Sequence, residues 1–189
     1  MESLYKYILE AFTVGGTQSN RILLFDVDDT LIHTTAKISI IKNHKVVKRI
    51  SNSEYNEYVL KPGESFGYEE FDNPIILNNE KFTPYWDTLK REYKKGTHIG
   101  ILTARGNMDM IYTFFKNNGI VIKKDLVFAV GDPKLNLKGS IAERKSKVIS
   151  DLVDYGYRTF VFFDDNETNL KSAKELEHKF NIKIITKKV

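Results

Sequence analysis

Short apolar runs alternate with amphipathic stretches along most of the chain. The apolar runs predict core strands at about 21–26, 97–102, 125–130, 158–163 and 182–186. Between them, apolar positions at helical spacing predict helices at about 83–93, 108–116, 141–155 and 169–179. Strands that alternate with helices of this length are typical of a parallel sheet with helices on both faces. The pattern therefore predicts an α/β fold.

The N-terminal segment predicts one further helix ahead of the first core strand. Leu4, Ile8 and Phe12 recur at helical spacing, and Gly15-Gly16 predicts the end of this helix. We interpret its apolar stripe as a surface that packs against the rest of the protein, because a stripe at this spacing is more often core than a binding site.

Residues 33–80 interrupt the alternation directly after the first core strand. Two β-type runs joined across Asn43-His44 predict a hairpin instead of a crossover helix. A turn-rich stretch with several aromatic residues follows: Tyr55, Tyr58, Phe66, Tyr68 and Phe71. We predict a core of residues 1–32 and 81–189 with a small β-rich insertion, which is either a substrate-selecting cap or a static arm. The rings either stack on a nucleobase or form the insertion's own small core.

Composition narrows the possible functions. The 189 residues include no cysteine, which excludes disulfides, thiolate nucleophiles and zinc sites with cysteine ligands. No apolar run reaches the roughly 20 residues that cross a bilayer, so we expect a cytoplasmic protein without a membrane partner. A net charge of +4 comes from scattered lysines. This charge permits an anionic or nucleic-acid ligand without requiring one.

Three carboxylates follow the first core strand within four positions. Asp26, Asp28 and Asp29 precede Thr30 at the carboxyl end of this strand, where ligands of open α/β sheets bind. Such carboxylates repel one another unless a cation lies among them, and oxygen ligands favour Mg²⁺. The alternative is an acidic turn that caps a helix.

Two later strands also end in polar residues. The strand at 97–102 leads into Thr103, Ala104 and Arg105, which together offer a hydroxyl, backbone amides and a guanidinium to a phosphate. The strand at 158–163 leads into Asp164-Asp165, a pair able to complete a metal site. Taken singly, each group has a plainer explanation: a helix cap at Thr103, a surface ion pair at Arg105 and a turn at the acidic pair. Their joint occurrence at successive strand ends favours a catalytic site.

These motifs resemble those of the haloacid dehalogenase superfamily of phosphohydrolases. Asp26-Val27-Asp28-Asp29-Thr30 resembles its DxDxT signature, Thr103 its second motif, and Phe162-Phe163-Asp164-Asp165 its fourth. The chain is also similar to members encoded by bacteriophages, and its core to the 3′-phosphatase domain of phage polynucleotide kinase. The resemblance implies a Rossmann-like three-layer sandwich and, for a phage-encoded protein, the host cytoplasm as its location.

The resemblance implies a Mg²⁺-dependent phosphomonoester hydrolase that forms an aspartyl-phosphate. In it, Asp26 is the nucleophile and Asp28 the general acid and base. Thr103 binds the transferring phosphoryl group. The metal is held by Asp26, the backbone carbonyl of Asp28, and Asp164, while Asp165 orients a metal-bound water.

The family lysine has two candidates on the predicted helix at 141–155. Lys145 lies four residues before Ile149 and seven before Leu152, and so shares their buried face. Lys147 is predicted to point to solvent and is the alternative, because the start of the helix is not fixed by the pattern. We predict that Lys145 is the catalytic lysine.

Two classes of function remain. The first is a phosphatase whose substrate is a phosphorylated small molecule, such as a nucleotide or sugar phosphate, or a nucleic-acid end, with a nucleotide or 3′-phosphate end preferred. The second is a phospho-acceptor or binding protein that does not hydrolyse its phosphorylated ligand. The fold is compatible with both and does not select a substrate.

Overall fold

The structure of the protein, a computed structural model, describes residues 20–189. Within this range the chain divides into two compact units, one of residues 20–33 and 82–189 and one of Thr34–Lys81. The predicted insertion at 33–80 differs from the second unit by one residue at each boundary. The predicted N-terminal helix around Leu4, Ile8 and Phe12 lies outside the described residues.

Strands and helices alternate in the first unit, whereas the second unit is richer in strands. The strands are β1 (Arg21–Phe25), β2 (Ile32–His33), β3 (Ile38–Lys42), β4 (Lys45–Ile50), β5 (Glu64–Gly67), β6 (Lys81–Phe82), β7 (Ile99–Thr103), β8 (Val127–Ala129), β9 (Thr159–Asp164) and β10 (Lys183–Lys188). The α-helices are α1 (Asn52–Glu57), α2 (Pro74–Asn79), α3 (Pro84–Lys94), α4 (Met108–Asn117), α5 (Ile141–Asp154), α6 (Glu167–Lys174) and α7 (Leu176–Phe180). Within residues 20–189, short 3₁₀ helices cover Glu69–Asp72, Lys124–Leu126 and Pro133–Leu135.

The core of the first unit is a five-stranded sheet in the order β10-β9-β1-β7-β8. Every neighbouring pair in it is parallel. From β1 the chain passes through α3 to β7 and through α4 to β8, then returns through α5 to β9 and through α6 and α7 to β10. Since parallel crossovers are right-handed, these two directions place the helices on opposite faces. The predicted Rossmann-like three-layer α/β sandwich is confirmed.

The central strands are buried on both faces, which explains their continuous apolar sequences. Ile22, Leu24 and Phe25 of β1 are fully buried. The rings of Phe25 and Phe163 stack across the β1–β9 pair with their centroids 4.5 Å apart. Among the helices of residues 20–189, none has the length and apolar character needed to cross a bilayer.

One predicted helix is divided in the structure. The stretch predicted as a single helix at 169–179 forms α6 and α7, which meet at Glu175. Beside this break, the Lys174 ammonium donates to the Ile184 carbonyl at 2.6 Å, and the Glu177 carboxylate accepts from the Ile184 amide at 2.6 Å. Both contacts connect the break to strand β10. Such contacts cannot be predicted from the helical spacing of apolar residues.

The second unit contains an antiparallel sheet in the order β4-β3-β5. The predicted hairpin is confirmed, with Asn43 and His44 both at the left-handed φ values that a two-residue turn of this kind requires, 51° and 60°. The unit also contains α1 and α2, which the sequence pattern did not predict. Helix α1 begins with a capping box in which Ser51 and Glu54 each bind the other's backbone amide.

The aromatic residues of the second unit pack on its own small core. A cluster of five buried residues is formed by Ala36, Ile38, Ile40, Ile50 and Phe71, with Tyr55, Tyr58, Phe66 and Ile76 packed against it. Tyr55 contacts the Phe66 ring edge to face at 4.7 Å, and its hydroxyl lies 3.1 Å from that of Tyr68. Of the two interpretations of these rings, the structure therefore supports a small core.

Candidate active site

Three neighbouring strands of the parallel sheet end at predicted site residues. Asp26 directly follows β1, Thr103 is the last residue of β7, and Asp164 is the last residue of β9. All three are buried. Because Phe25 pairs with Phe163, the Asp26 amide continues the ladder and donates to the Phe163 carbonyl at 2.9 Å. The direction of the chain connections reverses between β1 and β9, and ligands bind outside such a switch point in open α/β sheets.

Lys145 joins the two strand ends. Its Nζ lies 2.8 Å from Asp26 Oδ1 and 2.7 Å from Asp164 Oδ2, and the residue is 1% exposed. Helix α5 buries Ile149 and Leu152 on the same face, which confirms the predicted orientation. The Lys147 side chain is 59% exposed and forms an ion pair with Asp151. The structure therefore places Lys145, and not Lys147, between the candidate-site carboxylates of Asp26 and Asp164.

Lys145 remains charged in this environment. Burial by itself lowers the pKa of a lysine, but the carboxylates of Asp26 and Asp164 outweigh this effect and raise the pKa of Lys145 above its ordinary value. A charged ammonium between two carboxylates fixes the position of both. It also offsets part of their mutual repulsion.

One lysine does not balance the local negative charge. Burial raises the pKa of Asp26 well above its ordinary value; Lys145 opposes this shift, and the neighbouring carboxylates of Asp164, Asp165 and Asp28 add to it. The negatively charged form of Asp26 is therefore disfavoured in the protein without a bound cation. A cation near these carboxylates would stabilise that form.

Asp164 is held in place by donors from the start of α6. Its oxygens accept from the Asn166 amide at 2.8 Å and from Asn169 Nδ2 at 3.0 and 3.2 Å. Sequence reasoning missed the contact of the buried Asn169 with Asp164. The sequence did contain a signal for this contact, because Asn169 lies only five residues after Asp164. A residue in the first turn of a helix that directly follows a strand lies close to the end of that strand.

The donor set fits a hard divalent cation. Asp26, Asp164 and Asp165 each offer a carboxylate oxygen, and these three atoms lie within 4.8 Å of one another. Oxygen ligands with excess negative charge suit Mg²⁺. Asp28 is outside this group, and ligation through its backbone carbonyl stays a prediction.

The pH dependence of stability can test whether Asp165 is buried beside the other carboxylates of this group. Burial, followed by the charges of Asp164 and Asp29, raises the pKa of Asp165 to about 6, whereas an unfolded aspartate titrates near 4, as an approximate value. Because the folded state then binds the proton more tightly, Asp165 makes the free energy of unfolding fall as pH rises from about 4 to about 6. We expect Asp165→Asn to remove this decline, as measured by thermal unfolding in chelator.

The matched control is Asp154→Asn, at an exposed carboxylate near the end of the same unit's helix α5. This variant should keep the pH dependence of the wild-type protein. Identical profiles for the wild type and Asp165→Asn over this range would contradict the assignment.

Asp28 and Arg105 form an ion pair instead of standing separately. Arg105 Nε donates to Asp28 Oδ2 at 2.9 Å, and Nη2 donates to Asp28 Oδ1 at 2.6 Å. The arginine side chain is 0% exposed and that of Asp28 is 12% exposed. The sequence analysis predicted that Arg105 binds a substrate phosphate and considered a surface ion pair as the alternative. The structure contains an ion pair, but Arg105 is buried and not at the surface. A contact between Arg105 and phosphate stays a prediction.

The loop after β7 is packed closely against the loop after β8. The Gly131 amide donates to the Arg105 carbonyl at 3.1 Å, and the Val130 amide donates to the Thr103 carbonyl at 2.8 Å. A Cβ atom on Gly131 would lie 2.4 Å from the Ala104 carbonyl oxygen. Glycine is therefore required for this close approach. Ala104 itself is exposed at the end of β7.

No family model matches the chain, and no curated protein matches it in sequence.

Proposed function

We propose that the protein is a Mg²⁺-dependent phosphomonoester hydrolase of the haloacid dehalogenase type. The observation that carries this proposal is the buried ammonium of Lys145 between Asp26 and Asp164, at the ends of two adjacent parallel strands. This arrangement supplies an oriented carboxylate beside a fixed positive charge, which suits attack on a phosphate. Thr103, at the end of the next strand, supplies a buried hydroxyl.

In this mechanism, Asp26 attacks phosphorus and forms an acyl phosphate while the bond to the leaving oxygen breaks. Asp28 donates a proton to that oxygen, then accepts one from the water that hydrolyses the acyl phosphate. Lys145 keeps Asp26 oriented in both steps, and Thr103 donates a hydrogen bond to a phosphoryl oxygen.

The carboxylates of Asp26, Asp164 and Asp165 would hold the Mg²⁺ ion. When bound, the ion neutralises charge so that an anionic nucleophile can approach an anionic phosphate. In the protein alone Asp164 already accepts bonds from Lys145, Asn166 and Asn169. Binding of a cation by Asp164 would therefore weaken one of these bonds.

The preferred substrate class in this proposal is a nucleotide or a nucleic-acid 3′-phosphate end. The net charge of +4 supports an anionic ligand of either kind. The aromatic residues of the second unit lend less support, because they pack on their own core.

A second candidate is a phospho-acceptor that becomes phosphorylated without turning over. The Asp28–Arg105 pair favours it, since both oxygens of Asp28 already accept hydrogen bonds from Arg105 and the carboxylate is held away from a role as proton donor. The two candidates differ in stoichiometry: the phospho-acceptor releases at most one leaving group per protein molecule.

The test is phosphate release from a panel of substrates with Mg²⁺ or with chelator. The panel contains an aryl phosphate, 5′- and 3′-mononucleotides, sugar phosphates and 3′-phosphorylated oligonucleotides. We expect many turnovers on at least one substrate, lost in chelator and restored by added Mg²⁺. A single burst without turnover would support the phospho-acceptor, and equal activity in chelator would contradict the metal requirement.

A further inference from the structure

The guanidinium of Arg105 is buried inside the candidate site. Its side chain is 0% exposed, and two of its nitrogens bind both oxygens of Asp28, at 2.9 and 2.6 Å. A pair with two parallel bonds fixes the plane and the rotation of the carboxylate as well as its distance. Asp28 therefore cannot turn about its side-chain bonds without breaking a bond to Arg105.

The backbone of Arg105 is itself anchored. Its carbonyl accepts from the Gly131 amide at 3.1 Å, and its amide lies 3.4 Å from the Thr103 hydroxyl. Gly131 follows β8 closely, and Thr103 ends β7. Through Arg105, the carboxylate that follows β1 is thus tied to the ends of two other strands of the sheet.

We propose that Arg105 is a positioning residue that holds the Asp28 carboxylate in the orientation needed for proton transfer to and from the reacting oxygens. This inference rests on the proposed hydrolase function. A carboxylate has about four acceptor positions, so two bonds to Arg105 leave room for a proton or a water molecule. In this proposal Arg105 acts through Asp28, and the phosphate contact predicted for Arg105 from the sequence is the alternative role that the experiment distinguishes.

The two roles for Arg105 predict different kinetics. A phosphate ligand contacts every phosphomonoester alike, so its loss weakens all substrates to a similar extent. A residue that positions the general acid matters most where the leaving oxygen needs a proton. Nitrophenolate leaves readily without one, whereas the alkoxide from an alkyl phosphate does not.

The experiment compares Arg105→Gln, Asp28→Asn and the double variant on 4-nitrophenyl phosphate and on an alkyl phosphate, with kcat and KM measured separately. We expect Arg105→Gln to lower kcat for the alkyl phosphate by about 100-fold, the lower end of the range typical of a general acid. For the nitrophenyl ester the expected loss is below about 10-fold, since little proton donation is needed there. Adding Arg105→Gln to Asp28→Asn should cause no further loss, because both changes remove one function.

The proposal is overturned if the loss is equal for both esters, raises KM, and multiplies with that of Asp28→Asn. Arg91→Gln, at an exposed arginine of α3, is the control and should leave both activities unchanged. If Arg105→Gln does not fold, Asp28→Asn is compared with Asp28→Asn/Arg105→Lys, which keeps the buried positive charge. A wild-type protein inactive on both esters would overturn the hydrolase function, and this proposal with it, whereas an active wild type with multiplicative losses would overturn this proposal alone.

Discussion

Asp26→Asn should abolish turnover while leaving the fold intact. Loss of a nucleophile lowers kcat by about four to six orders of magnitude in enzymes where it has been removed, and an amide cannot form the acyl phosphate. Burial raises the pKa of Asp26, Lys145 opposes this shift, and three neighbouring carboxylates add to it, so the negative charge on Asp26 is disfavoured. Its replacement by a neutral group should therefore leave the free energy of unfolding unchanged or raise it. Phosphate release and thermal unfolding measure the two effects.

The matched control is Asp87→Asn, at an exposed aspartate in the first turn of α3. This variant should keep wild-type turnover. Mass spectrometry of rapidly quenched wild-type protein should also find one phosphoryl group on Asp26. Turnover by Asp26→Asn near the wild-type rate, or a phosphoryl group on another residue, would reject Asp26 as the nucleophile.

Lys145→Met should give the largest loss of stability, together with loss of activity. The change leaves Asp26 and Asp164 buried without the ammonium that lies 2.8 and 2.7 Å from them. Removing one partner from a buried ion pair typically lowers the free energy of unfolding by about 3–5 kcal/mol. Urea unfolding measures this loss, and added Mg²⁺ should recover part of it by supplying positive charge.

Lys147→Met is the matched control, two residues away on the same helix. Its side chain is 59% exposed, although its partner Asp151 is largely buried, and an ion pair with an exposed lysine contributes less than the fully buried pairs of Lys145. We expect near wild-type stability and turnover for this variant. The opposite ranking of the two lysine variants would transfer the catalytic assignment to Lys147.

The central strands of the first unit were predictable because they are buried on both faces. Apolar runs at 21–26 and 158–163 correspond to β1 and β9 with ends within one residue. Burial on both faces requires nearly every side chain to be apolar, and this leaves a local signal in the sequence. Asp26 and Asp164 were then found because each stands where such a run stops.

Short or interrupted elements were harder to predict. Helix α1 has six residues, too few for a 3.6-residue period to repeat, and only the capping pair Ser51 and Glu54 marked it. The division between α6 and α7 follows contacts to Ile184, which lies on a later strand. Local spacing does not carry information about such a contact.

Helical spacing was enough to predict the buried position of Lys145, but not its two partners. Its spacing from Ile149 and Leu152 placed it on the buried face of α5, and this placement is correct. The two carboxylates that it contacts lie 119 and 19 residues away. They meet it because parallel strands bring their carboxyl ends to one edge of the sheet.

The sequence by itself determined the fold class and most of the residues in the candidate site, since apolar periodicity and strand ends are local properties. Only the tertiary structure decided how these residues pair. Asp28 and Arg105 are 77 residues apart, and either could have faced solvent, a phosphate or a metal. Their pairing arises because β7 lies beside β1 and because Gly131 allows the loop that bears Arg105 to pack closely, so it depends on distances that no single segment contains.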